Sequence, residues 1–102
     1  MRVIGVRRLK EFWGKHPKAE VPLTTWYQVA RNATWRNTAE MLQTWPSADV
    51  VERLTVFNVG GNEFRLIARV EYQRHEIYIR GVFTRDEYDE EGWKHDPWFR
   101  RK

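Results

Sequence analysis

Leu54-Thr55-Val56-Phe57-Asn58-Val59, then Gly60-Gly61, then Asn62-Glu63-Phe64-Arg65-Leu66-Ile67-Ala68-Arg69-Val70-Glu71-Tyr72, and after a polar break Glu76-Ile77-Tyr78-Ile79-Arg80-Gly81-Val82-Phe83-Thr84, is the run that decides the fold. Its β-branched and aromatic residues read as a meander of three strands. Gly60-Gly61 supplies the first turn, because the favoured two-residue hairpin turns need positive φ and glycine adopts it without steric cost. With Val59 facing Asn62, Phe57 lies opposite Phe64, Thr55 opposite Leu66 and Val56 opposite Arg65. Carried through the break at Gln73 to Glu76, the alternation pairs Tyr72 with Ile77, Val70 with Ile79, Ala68 with Gly81 and Leu66 with Phe83. One face then turns Phe57, Phe64, Leu66, Val70, Ile79 and Phe83 toward a helical layer.

The other face is expected to be open to solvent and to hold Arg65, Arg69 and Arg80. The register sets Arg69 across from Arg80 and Arg65 across from Thr84, beside Val56, Ile67, Tyr78 and Val82. Like charges directly opposite one another destabilise a sheet, so an anionic ligand is a reason for their presence. Every cation from Phe64 to Arg85 is arginine, namely Arg65, Arg69, Arg74, Arg80 and Arg85, which suits planar, bidentate phosphate recognition. A solvated basic face beside an ordinary sheet is the competing explanation.

At 102 residues the chain reads as one domain, with room for one modest core. An apolar content of 41% with 15% aromatic residues marks it as globular, and tryptophans at 13, 26, 35, 45, 93 and 98 offer large area to bury. A net charge of +4 favours an acidic or polyanionic partner without choosing among nucleic acid, membrane and protein. Without cysteine there is no disulfide, zinc-thiolate site or thiol nucleophile. No apolar run has the length of a signal peptide or membrane span, so no membrane role and a cytoplasmic location are expected.

Before the meander, Arg2 to Gly5 is a short strand candidate. Leu9, Phe12 and Trp13 then repeat at helical spacing until Gly14 and Pro17 impose a break, where His16 fits a surface or capping role. A second helix begins around Pro22 and carries the stripe Leu23, Trp26, Tyr27 and Ala30. Asn37 and Glu40 open a third, with Met41, Leu42 and Trp45 on its core side and Pro46 ending it. Trp13, Trp26 and Trp45 are accordingly expected in the core, and Ser47 to Glu52 as a polar connection. Thr84 and Glu87 form a capping box for a short helix over Glu87 to Glu91, stopped by Gly92. The fold class is α+β: a small, mostly antiparallel sheet of an N-terminal strand plus the meander, covered on one face by two to three helices, with a short C-terminal helix.

Metal chemistry finds little support, since His16, His75 and His95 lie at no ligand spacing and the acids from Asp86 to Glu91 follow a helix rather than a calcium loop. Ser47 has no nucleophile-elbow glycines, and Gly60-Gly61 lacks the strand-glycine-helix context of a phosphate loop. What remains is a site without metal or cofactor, made of arginines on a sheet, with Tyr78, Tyr88, Lys94 and His95 as possible proton carriers.

The run Val56 to Ala68, followed by Tyr78-Ile79-Arg80 and by Thr84-x-x-Glu87-Tyr88-Asp89, resembles the HigB toxins of bacterial toxin-antitoxin systems, within the RelE group. Trp13 to Pro17, Trp35-Arg36-Asn37 and Pro46-Ser47-Ala48-Asp49 are similar as well. The resemblance implies a RelE-like toxin that cleaves messenger RNA on the ribosome, is neutralised by a HigA-type antitoxin and meets operator DNA only through that antitoxin. The implied reaction is metal-independent: the 2′-hydroxyl attacks the adjacent phosphorus and leaves a cyclic phosphate. It requires a base, cations for the phosphoryl oxygens and an acid for the leaving 5′-oxygen. Arg65 and Arg80 are candidates for the cations, Tyr88, Lys94 and His95 for the proton carriers, and Arg69, Arg74, Tyr78 and Arg85 for RNA contacts. HigB-like sequences often carry histidine after the threonine matching Thr84, where this chain has Arg85, and arginine neither gives nor takes a proton near neutral pH. Either that histidine is dispensable, or Tyr88, Lys94 or His95 does its work. A non-catalytic RNA- or ribosome-binding protein using the same arginine face is the alternative, and a plain scaffolding protein a third.

Overall fold

The computed structural model describes residues 1–99, so the terminal Arg100, Arg101 and Lys102 lie outside the described residues. The elements run β1 (Arg2–Ile4), α1 (Val6–Lys15), α2 (Glu20–Asn32), α3 (Thr38–Thr44), β2 (Asp49–Val51), β3 (Leu54–Val59), β4 (Phe64–Glu71), β5 (Glu76–Thr84) and α4 (Arg85–Asp89), with 3-10 turns at Pro17–Ala19 and Gly92–His95. The sheet order is β1-β5-β4-β3-β2, and only β1 and β5 run parallel. The expected α+β class holds, with one strand added. The stretch expected as a polar connection contains β2, which pairs with β3 through a tight turn where Glu52 takes φ 55°.

The β3–β4 hairpin forms at Gly60-Gly61, with φ of 64° and 65°, but in a different register. Val59 pairs with Phe64 rather than Asn62, which places Phe57 opposite Leu66 and Val56 opposite Ile67. The loop therefore includes Asn62 and Glu63, and the Glu63 N–H donates to the Gly60 carbonyl at 3.2 Å. Because side chains alternate with period two, this slip leaves each residue on its expected face.

Between β4 and β5 the departure is larger. Glu71 pairs with Glu76 and Arg69 with Tyr78, so the facing Arg69–Arg80 pair does not exist. Ala68 pairs with Ile79 but Ile67 with Gly81, making Arg80 the extra residue of a bulge. A bulge reverses the alternation beyond it. Val82 consequently packs on the helix side and Phe83 on the opposite side, each the reverse of its expected placement. Arg65 lies across from Phe83, and Thr84 across from Phe64.

The helices cover one face. Leu9 of α1, Leu23, Trp26 and Ala30 of α2 and Met41 of α3 enclose Phe57, Val59, Phe64, Leu66, Ala68, Ile77 and Ile79. Trp26 is fully enclosed, whereas Trp13 and Trp45 are only partly buried at its margin, and Trp35 and Trp93 are the other buried tryptophans. His16 caps the end of α1, its N–H donating to the Phe12 carbonyl at 2.9 Å while its ring stacks on Phe12. Asn37 Oδ1 caps α3 by accepting from the Glu40 N–H at 2.9 Å, while the Glu40 carboxylate reaches one residue farther back, to the Arg36 N–H at 2.8 Å. Thr84 and Glu87 form the expected reciprocal capping box of α4.

The second face is not open. Leu54, Val56 and Ile67 on that side are buried beneath Trp93 and Phe99, with Phe83, Tyr88 and Trp98 packed around them. A strap comprising α4 and residues 90–99 thus roofs the face expected to be bare.

Candidate functional site

Arg65, Arg69, Tyr78 and Arg80 all lie under or beside the strap, and each has a definite partner. Arg80 is held most firmly: its Nε and Nη2 donate to the Asp96 carboxylate at 2.9 and 3.1 Å, and its guanidinium carbon stands 4.2 Å from the centre of the Trp98 ring. A planar cation is thereby fixed by a fork of charge-assisted hydrogen bonds and an aromatic face. A cavity of about 200 Å³ opens beside it, lined by Ile67, Phe83, Gly92, Trp93 and Asp96 as well as Arg80.

Arg65 lies nearer the β3–β4 turn. Its Nη1 donates to the carbonyls of Asn62 and Phe64 at 3.0 and 3.2 Å, and its guanidinium carbon is 5.6 Å from the Tyr88 ring centre. Tyr88 in turn stacks almost flat on Trp93, with centroids 5.2 Å apart and planes 7° off parallel. Burial, reinforced by the Asp49 carboxylate, pushes the Tyr88 phenol above its usual range, against the opposing pull of Arg65 and Lys94. Near neutral pH it is therefore a proton donor and not a base. Lys94 reaches Glu91 at 2.8 Å and lies 5.6 Å from the Trp93 ring centre.

A third group occupies the other end of the sheet, where the β2–β3 and β4–β5 turns lie side by side. Arg69 donates to Glu71 at 2.6 Å, so its charge is answered along its own strand rather than opposed by Arg80. The Tyr78 hydroxyl donates to Glu76 at 2.7 Å, and that bond is the main reason its ionisation is pushed up. Arg69, Glu71 and Tyr78 border a groove of about 440 Å³ together with Arg53, Arg74 and Trp98. The like-charge repulsion expected from sequence is absent, but the clustering of arginines is real.

Two expected site residues join none of these groups. His95 is exposed at the end of its 3-10 turn, its side chain forming no hydrogen bond or ion pair among the described residues. Arg85, also exposed, sits in the first turn of α4 over a hollow by the β3–β4 loop, its N–H donating to the Glu63 carbonyl at 3.0 Å. Sequence reasoning missed Arg53, Asp96 and Trp98. Three aromatic residues within seven positions, Trp93, Trp98 and Phe99, were the available signal that the terminal segment packs. A hollow of about 670 Å³ between α2 and α3 has Glu40 as its one charged wall residue and lies away from the arginines.

The sequence also matches known proteins. The HigB toxin family model, described as the RelE-like toxic component of a toxin-antitoxin system, matches residues 19–91. The mRNA interferase toxin HigB of Escherichia coli strain K12 is 32% identical over 92 residues, covering 87% of this chain and 88% of that protein. The mRNA interferase HigB of Shigella flexneri shows the same 32% identity and coverage. That of Escherichia coli O6:H1 strain CFT073 is 25% identical over 92 residues, covering 87% of this chain and 89% of the relative. This chain, with its helix-backed sheet and a family match that takes in α2, α3 and every strand after them, belongs to the HigB toxin family.

Proposed function

We propose that this toxin is an endoribonuclease that arrests translation by cutting messenger RNA on the ribosome, through attack of a 2′-hydroxyl on the neighbouring phosphorus. The observation that carries this reading is the likeness to relatives named mRNA interferase along 87% of the chain. The arginine groups under the strap are chemically suited to it. In a metal-independent mechanism Arg80 and Arg65 stabilise charge gathering on the phosphoryl oxygens. Tyr88, protonated and with its ring centre 5.6 Å from the Arg65 guanidinium carbon, gives a proton to the leaving 5′-oxygen, while water takes the 2′-hydroxyl proton and restores that of the phenol. Lys94 tunes that phenol, His95 acts only if the strap moves, and Arg69, Arg74, Tyr78 and Arg85 hold flanking RNA.

Inhibition follows from the same chemistry. A HigA-type antitoxin silences the site by offering carboxylates to the arginines, as Asp96 already does from within the chain, or by levering α4 and the strap away. Operator DNA is then met through the antitoxin, and the toxin acts in the cytoplasm, where messages are read. Among the described residues no helix is long and apolar enough to cross a membrane.

Purified protein added to a translation reaction, followed by primer extension on the message, tests the proposal. New 5′ ends within translated codons are expected, and their absence without ribosomes. Stalled ribosomes with an intact message would mean a binding protein using the same arginines and would overturn the nuclease reading.

A further inference from the structure

The groove at the β2–β3 and β4–β5 turns is more than a rim of the Arg80 site. Arg53 projects from the first turn and Arg74 from the second, and the antiparallel topology brings both to one end of the sheet. Among the described residues neither forms an ion pair, and Arg69 beside them has Glu71 as its single carboxylate partner. Three guanidiniums thus border a hollow of about 440 Å³, within the size range of small-ligand sites. Its walls include two aromatic rings, Tyr78 and Trp98, set 5.3 Å apart at 65°. Trp98 is shared: Arg80 lies 4.2 Å from its ring centre, so one indole belongs to both the groove and the candidate cleavage site. Tyr78 precedes Arg80 by two positions on β5, a strand distance of about 7 Å.

We propose that this groove is a separate nucleotide site for single-stranded RNA, in which Trp98 and Tyr78 stack a base flanking the scissile phosphate while Arg53 and Arg74 hold that nucleotide's own phosphate. The proposal rests on the nuclease reading for the word scissile, but the groove's affinity for RNA does not. Aromatic faces next to arginines grip single strands with little sequence preference, because every base presents a π-face. Guanidiniums free of carboxylates on two turns are suited to backbone phosphates, which each take two parallel N–H donors. A solvated basic rim requires neither the paired rings nor the shared indole.

The test measures binding of a short single-stranded RNA with 2′-O-methyl groups, which cannot be cleaved, both free and as the message of programmed ribosomes. Wild type, the double variant Arg53→Ala/Arg74→Ala, Trp98→Ala and Trp98→Phe are compared, with thermal melts to check folding. The double variant should bind about ten-fold more weakly, and its log affinity should depend less steeply on log salt, by roughly 0.7 for each lost phosphate contact. Trp98→Ala should weaken binding by a similar factor and Trp98→Phe by much less. On cleavable message the double variant should raise the half-saturating concentration more than it lowers the maximal rate. Unchanged affinity and salt slope in a folded double variant would overturn the groove, as would a wild type that binds the RNA in neither setting. If wild type binds and the variants do not, yet no message is cut, the groove stands and the nuclease reading fails. If all of them cut the message and bind with equal affinity, the groove fails and the nuclease reading stands.

Discussion

Arg80 and Arg65 would serve the same charge on a phosphate, yet the fold holds them differently, and their removal should separate stability from activity. Arg80 has two charge-assisted bonds to Asp96 in a pair whose side chains are 22% and 16% exposed. Arg80→Ala leaves a partly buried carboxylate without its cation and with only the Trp98 backbone N–H as donor among the described residues, so a loss of about 1–3 kcal/mol in denaturant unfolding is expected, along with a fall of about 10²–10³ in cleavage rate. Arg65 donates to two local carbonyls and forms no ion pair among the described residues, so Arg65→Ala should change stability by only about 0.5 kcal/mol while still lowering cleavage. Tyr88 gives a pH test. Its folded phenol holds its proton beyond the ordinary value of 10.0, so the unfolded chain ionises first and stability present below that pH declines as pH rises through the folded value. Tyr72, raised by burial, acts in the same direction. Denaturation from about pH 9 to 11 should show this decline, and Tyr88→Phe should make it shallower. The same variant should cut more slowly at neutral pH without creating a new limb in the rate profile.

At the scale of elements, junctions decide where the site residues stand. Gly5 joins β1 to α1 at φ 96°, and a Cβ there would meet the Ile79 carbonyl oxygen at 3.1 Å and its Cβ at 3.3 Å. Gly5→Ala should therefore cost about 1–3 kcal/mol by unfolding, since both the backbone conformation and the close approach to β5 resist a side chain. The Thr84–Glu87 capping box sets the start of α4, and with it the position of Tyr88 over Trp93. Thr84→Ala should lower stability by about 1 kcal/mol, and Trp93 emission should change as the stacked pair loosens. The Asn37–Glu40 and Thr84–Glu87 caps were readable from sequence because they depend on neighbours three residues apart. The β4–β5 bulge was missed, although Gly81, a glycine inside a strand pattern and next to the extra residue Arg80, was a signal for it.

The whole molecule has an apolar layer on each side of its sheet, and the two are unequal. On the helix side Trp26 is fully enclosed and meets Phe57 edge-on at 5.4 Å. Trp26→Ala should cost about 3–5 kcal/mol, a large share of the roughly 5–15 kcal/mol available to a domain, and a Tm well below wild type is expected in a thermal melt. The strap side rests on fewer residues, Leu54, Val56 and Ile67 below and Trp93 and Phe99 above. Its small area fits a cover that an antitoxin could lever off without unfolding the helix-side core.

From sequence alone came four of the five strands, the glycine turn between two of them, three of the helices with their start signals, and the expectation that Arg65, Arg69 and Arg80 share a face. These depend on short-range chemistry: alternation, positive φ at glycine, and capping within one turn. Register came out two residues off because a period-two pattern looks the same after such a slip. The reversal of Val82 and Phe83, and the answering of Arg80 by Asp96 sixteen positions later, were decided only by tertiary packing. The apolar residues Val56 and Ile67 on the supposedly open face needed a cover, and the aromatic strap supplied it. Burial of apolar area acts across the whole chain at once, so it chose the strap's position and with it the Asp96 and Trp98 partners of Arg80.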